Sequence, residues 1–145
     1  MEAKVCLIGR AATNGEIVSE VPLDVYYTKE HEWIKVSDDG EVVIGITDHA
    51  QDALTDIVYI ELPESGGHYD EMDEIGIVES VKSASPIFAP LAGTITAVND
   101  TLEDAPEQIN QEPYGNGWIV RMKLDDKSAV DGLMSASDYS AMISE

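Results

Sequence analysis

The sequence predicts a mainly β protein with a sandwich-like or barrel-like core. Three observations carry that prediction. Many short β-branched and aromatic runs are separated by Gly, Pro, Asn and Asp turn signals, only brief helical stretches lie between them, and a longer helical pattern is confined to the C-terminus. At 145 residues and 43% hydrophobic, the chain is long enough for one domain with its own core and too short for two of ordinary size.

Taken in order, residues 1–24 open with the apolar run Val5-Cys-Leu-Ile8, pass the turn signal Thr13-Asn-Gly15, and reach Ile17-Val18 and Val21-Pro22. They read equally as a hairpin, a flexible arm or a remnant of processing, an N-terminal extension before a domain spanning 25–145. From Val25 the pattern is regular. Tyr26-Tyr27 and Trp33-Ile-Lys-Val36 predict strands, Ser37-Asp-Asp-Gly40 a turn suited to positive φ, and Glu41–Ile46 the returning strand. Thr47 is placed to cap a short helix over Asp48–Leu54, whose early acid complements the free amides of the first turn. Ile57–Leu62 is the next strand, closed by Pro63 and the Ser65-Gly-Gly67 turn. Ile87–Val98 is β-like but interrupted by Pro90 and Gly93, which predicts a bend between two short strands. Asp104–Asn110 reads as one short helix with Pro106 in its first turn, Tyr114–Gly117 as a turn and Trp118–Leu124 as the last strand. In the stretch Ser128–Glu145, Val130, Leu133, Met134, Tyr139, Met142 and Ile143 recur at helical spacing, so a helix should cover one edge of the strands. Leu54–Ile60 and Leu91–Val98, each a turn followed by a β run, hint at two similar halves.

With 29 acidic against 8 basic residues, the net charge is −21. A phosphate backbone would be repelled, which argues against nucleic acid, and anionic membrane surfaces are disfavoured for the same reason. Such acidity suits either a high-salt environment or contact with basic partner surfaces. The sequence holds no apolar stretch long enough to cross a bilayer and no convincing targeting signal in Met1–Glu20, so the chain is expected in the cytoplasm, or in the mitochondrial matrix of a eukaryote. The single cysteine, Cys6, allows no intramolecular disulfide.

Against this background Lys82 stands out. It is the only Lys or Arg between Lys35 and Arg121, a span containing eighteen Asp and Glu. Most lysines do nothing beyond keeping a surface hydrated. This one, however, ends an apolar β run (Ile75, Ile77, Val78, Val81) and precedes the small residues Ser83, Ala84 and Ser85, the pattern of a strand ending in a tight turn. A lysine at such a tip is accessible to an enzyme that modifies its amine.

His31-Glu-Trp33, Gly45-Ile-Thr-Asp-His-Ala-Gln51, Glu79-Ser-Val-Lys-Ser-Ala-Ser85, Ala89-Pro-Leu-Ala-Gly93 and Pro113-Tyr-Gly-Asn-Gly-Trp118 occur in that order. Together they closely resemble the glycine cleavage system H proteins, from about Val25 to the C-terminus. The resemblance implies a biotinyl/lipoyl-type flattened β-barrel, a barrel-sandwich hybrid, with lipoic acid joined by an amide to Lys82. It implies a carrier without catalytic residues, whose arm moves an aminomethyl group from the glycine decarboxylase (P protein) to the aminomethyltransferase (T protein) and is reoxidised by dihydrolipoyl dehydrogenase (L protein). Lipoate-attaching enzymes are further implied partners. Glu79 matches a position of the lipoylation motif that such enzymes are expected to read, against the plainer reading of a hairpin carboxylate. Glu32 matches a position associated with a cleft that shelters the loaded arm, against the plainer reading of a solvated surface acid. Many relatives carry an acid four residues after the modified lysine, where this chain has Pro86. A lipoyl-relay carrier of the same fold is the nearest rival. A biotin carrier is disfavoured because Val81-Lys-Ser83 lacks flanking methionines.

Other candidates point to plainer roles. His31, His49 and His68 form no metal-binding spacing and are read as structural or surface residues. Cys6 lacks a neighbouring histidine and is read as a packed thiol rather than the nucleophile of a hydrolase or redox enzyme. Gly115 and Gly117 are turn residues without a phosphate-loop lysine, and Asp70–Glu74 lacks the ordered spacing of a calcium loop.

Overall fold

A computed structural model describes residues 9–10, 20–37 and 40–143. Cys6, the Val5–Ile8 run, the Thr13–Gly15 turn signal and Ile17-Val18 lie outside the described residues. The strands are β1 (Gly9–Arg10), β2 (Glu20–Val21), β3 (Tyr26–Tyr27), β4 (Glu32–Val36), β5 (Glu41–Ile46), β6 (Ile57–Glu61), β7 (His68–Tyr69), β8 (Glu74–Ser80), β9 (Ala84–Phe88), β10 (Gly93–Val98) and β11 (Val120–Leu124). The helices are α1 (Asp48–Leu54), α2 (Thr101–Asp104), α3 (Gln108–Gln111) and α4 (Ala136–Ile143), with a 3-10 helix over Lys127–Gly132.

All strand pairs are antiparallel, in a six-stranded sheet ordered β3-β4-β5-β11-β10-β7, a three-stranded sheet ordered β6-β8-β9 and the pair β1-β2. The two larger sheets share no ladder. They face each other across one apolar core, so the architecture is the expected flattened sandwich rather than a closed barrel. Ile34, Val42, Ile44, Ile95 and Met122 come from one sheet, and Ile57, Ile60, Val78 and Ile87 from the other. The alternation in β5, with Val42 and Ile44 buried and Val43 only partly so, turns every second side chain into this core. Each fully buried isoleucine or valine contributes about 1.5–3 kcal/mol relative to exposure.

A second, smaller core gathers Val21, Val25, Tyr27, Trp33, Ala136 and Tyr139 under α4. The Tyr27 and Tyr139 rings stack 4.5 Å apart, and the Trp33 indole donates to the carbonyl of Pro113 at 2.8 Å. Gly45 makes room for that indole, because a Cβ there would lie 2.7 Å from Trp33 Cε2 and Nε1.

Strands β3 to β6, helix α1 and the bend between β9 and β10 fall where the residue pattern puts them. Thr47 caps α1 by accepting from the Ala50 amide at 3.2 Å, and Gly40 takes φ 87 in its turn. Three expectations need correction. The single helix over Asp104–Asn110 is two short helices, because Pro106 supplies no N–H and Ala105 before it leaves the helical region at φ −137. Leu102 and Ile109 nonetheless both reach the core. The last strand starts at Val120 rather than Trp118, whose amide donates back to Gly115. The C-terminal helix is also divided: Met134 exchanges 2.9 Å backbone hydrogen bonds with Tyr27, and a residue engaged in a β-bridge cannot continue a helix. Ser135 then accepts from the Asp138 amide to start α4.

Candidate functional site

Lys82 is the middle residue of the three-residue connection Val81-Lys82-Ser83 between β8 and β9, where Glu79 faces Ala84 and Val78 faces Ser85 across the ladder. Ser80 holds this turn together. Its amide donates to the Ser83 carbonyl at 2.8 Å, and its hydroxyl accepts from the amides of Lys82 (3.1 Å) and Ser83 (3.0 Å) while donating to the Ser83 carbonyl at 3.1 Å. A serine that satisfies the free amides of a turn is a recurrent device; Ser80 has no assigned role in the sequence, where its only signal is a hydroxyl two residues before the lysine. Val81 beside it is 68% exposed.

The turn rests on the loop between α1 and β6. The Val81 amide donates to the carbonyl of Asp56 at 3.0 Å, and Lys82 Nζ donates to that of Ala53, also at 3.0 Å. An ammonium beside the last carbonyls of a helix is favourably placed. Thr55 in this loop has φ 68 and ψ −146, a conformation that costs a threonine on the order of 1–3 kcal/mol and persists only where neighbours enforce it. Neither Ala53 nor Asp56 carried any signal in the sequence, since both act through backbone carbonyls.

Glu79 is exposed on β8, one residue before Ser80, and faces Tyr59 on β6. Pro86 is exposed on β9 opposite Ile77. Glu32 is not a solvated surface acid, being 2% exposed. Its carboxylate accepts from the Thr28 hydroxyl at 3.1 Å and from the Phe88 amide at 2.9 Å, tying β4 to the far end of β9. Burial pushes its pKa up to about 7, aided by nearby Glu30 and opposed by the Phe88 amide and the Thr28 hydroxyl. Glu32 and Lys82 are thus at opposite ends of β9, separated by about 13 Å of strand between Ala84 and Phe88. Beside Thr28 opens a hollow of about 280 Å³ that also takes in Glu30, Glu71, Met72 and Pro90. A larger one, about 690 Å³, lies between Glu61–Gly67 and Glu74–Gly76, away from the lysine turn.

His31 and His49 pack against each other, their ring centroids 4.9 Å apart, while His68 lies on the surface. His31, at φ 70, shares a 2.7 Å hydrogen bond through Nδ1 with the Tyr139 hydroxyl, which is also 2.7 Å from Thr47 Oγ1. Burial, with His49 4.9 Å away, lowers the His31 pKa. His68 pairs with Asp125 at 2.7 Å on the surface. Among the described residues no group of three or more His, Cys, Asp or Glu is arranged to hold a metal, and no helix is long and apolar enough to cross a membrane.

Residues 25–145 match the family model described as glycine cleavage H-protein. The chain is 50% identical over 127 residues to the glycine cleavage system H protein of Chromohalobacter salexigens, covering 88% of this chain and 97% of that one. It is 51% identical over 124 residues to the corresponding protein of a Psychrobacter species, covering 86% and 98%. Its fold is similar to the crystal structure of a glycine cleavage system H protein from Mycobacterium marinum, with a TM-score of 0.79, 37% identity, and coverage of 86% of this chain and 100% of the other.

Proposed function

We infer the role of this chain from the family to which it belongs, the glycine cleavage H-proteins: it is a lipoyl carrier of the glycine cleavage system and not itself an enzyme. It therefore works with the other components of that system. Lys82 is the residue we assign to carry lipoate, through an amide at Nζ. The observation that carries this assignment is the presentation of that amine: an exposed lysine at the middle of a three-residue turn braced by Ser80, its ammonium donating to the backbone carbonyl of Ala53. That geometry suits an attaching enzyme, which needs an amine it can reach.

When bound, lipoate supplies a dithiolane that can accept an aminomethyl group at the glycine decarboxylase, release it at the aminomethyltransferase and be reoxidised at dihydrolipoyl dehydrogenase. The chain's own residues do three things. Lys82 gives up its positive charge on forming the amide, so its hold on the Ala53 carbonyl weakens from a charge-assisted to a neutral hydrogen bond. Ser80 keeps the turn closed while the side chain swings, and tethering raises the effective concentration of the reactive group at each partner. Glu32, about one strand length away, is the acid we assign to the cleft for the loaded arm: burial pushes its pKa up to about 7, and a cationic amine beside it would favour its charged form. Glu79, exposed beside the turn, is the acid we assign to recognition by the lipoate-attaching enzyme.

We take 25–145 as the carrier domain, supported by the family match, and 1–24 as an extension whose last part packs Val21 into the second core. Cytoplasmic location follows the bacterial relatives. The role is tested by glycine-dependent exchange of bicarbonate at the decarboxylase. Lipoylated wild-type chain should support it and Lys82→Arg treated identically should not; equal rates would refute the assignment.

A further inference from the structure

One side chain outside the lysine hairpin holds the loop on which Lys82 rests. We propose that Asn110, on α3, is a positioning residue that sets the Lys82 turn for attachment of lipoate; this rests on Lys82 being the attachment point.

The Asn110 carboxamide uses both its ends on one loop. Oδ1 accepts from the Ile57 amide at 2.9 Å, while Nδ2 donates to the Thr55 carbonyl at 2.8 Å and to Gln51 Oε1 at 2.9 Å. A backbone amide can only donate and a backbone carbonyl can only accept, so these partners fix which way the carboxamide points. The three contacts bracket residues 51–57, from the last turn of α1 to the first residue of β6. Between them lie Ala53 and Asp56, the two carbonyls that receive Lys82 Nζ and the Val81 amide. Between them too lies Thr55, in a left-handed conformation that the loop would leave if nothing enforced it. Rotation at Thr55 swings the chain before it against the chain after it, so the Ala53 and Asp56 carbonyls, one on each side, keep their relative placement only while Thr55 is held. Asn110 is itself fixed, because the neighbouring Ile109 is fully buried in the main core and anchors α3. Asn110 therefore acts on Lys82 through the 53–56 loop and well away in sequence from the motif around the lysine.

The test uses full-length chain with a lipoate ligase, lipoate and ATP, following attachment by intact mass, together with amide hydrogen exchange. In Asn110→Ala, kcat/KM for attachment should fall about tenfold and exchange of the Val81 amide should quicken about tenfold, as expected when a local restraint is lost, while amides in the β5–β11 ladder keep their protection. Asn110→Asp keeps the acceptor for Ile57 but sets a carboxylate oxygen against the Thr55 carbonyl, and should resemble Asn110→Ala. If Asn110→Ala loosens every amide alike, Gln51→Ala decides, since it removes a single contact: a smaller acceleration at Val81 alone supports the clamp, and an unmoved Val81 overturns it. Attachment at the wild-type rate in folded Asn110→Ala also overturns the proposal. If wild-type chain takes no lipoyl group at Lys82, the attachment reading fails, while exchange at Val81 still reports on the clamp.

Discussion

Glu32 shows how far a residue's identity can be from its environment. In the sequence it is one acid among 29, two residues after Glu30 and four after Thr28. In the fold it is sealed under β9 by the Phe88 amide and the Thr28 hydroxyl, and its pKa rises to about 7 from an ordinary value near 4.5. The folded state therefore keeps this proton between those two values while the unfolded chain releases it, and stability contributed by the protonated acid falls as pH rises through that window. Glu32→Gln, neutral at every pH, should be more stable than wild type at pH 8 by up to about 3 kcal/mol and should lose that advantage near pH 4. Urea denaturation at the two pH values measures it, and a pH-independent difference would contradict the burial account. Lys82 is the opposite case. Its isolation among acids was plain in the sequence, and the structure adds the carbonyls that hold its turn, Ala53 for the Lys82 ammonium and Asp56 for the Val81 amide, which are invisible there because they offer only backbone oxygen.

Elements with strong local signals are found where residue chemistry puts them. The Thr47 cap starts α1, Gly40 turns β4 into β5, and the run ending at Ser80 becomes the lysine hairpin. Elements whose extent depends on distant partners differ. Helical spacing continues through Leu133 and Met134, but the Tyr27 backbone claims Met134 and divides the C-terminal segment. Strand β7 has two residues, too few for any alternation to register. Close approach between elements is likewise decided by contacts that a linear pattern does not display. Gly45 in β5 is required by the Trp33 indole of β4, so Gly45→Ala should cost about 1–3 kcal/mol through forced displacement of the ring. Thermal unfolding and Trp33 fluorescence would report it, and an unchanged midpoint would show that the indole yields freely.

At the scale of the molecule, alternation and turn spacing made a β sandwich legible, and the ordered motifs made its family legible; the division into six- and three-stranded sheets required the pairings themselves. The net charge of −21 repels itself in the compact state. Raising NaCl from about 0.02 to about 0.5 M, which shortens the screening length severalfold, should raise Tm; a flat or falling Tm would mean that paired charges outweigh repulsion. Of the exposed lysines, Lys82 is the one we propose the fold serves to present. Mass spectrometry of the intact chain, with peptide mapping after incubation with lipoate, ATP and a lipoate ligase, tests that claim most directly. A single lipoyl adduct on Lys82, absent from Lys82→Arg, is expected; an adduct on another lysine, or one retained in Lys82→Arg, would overturn the assignment.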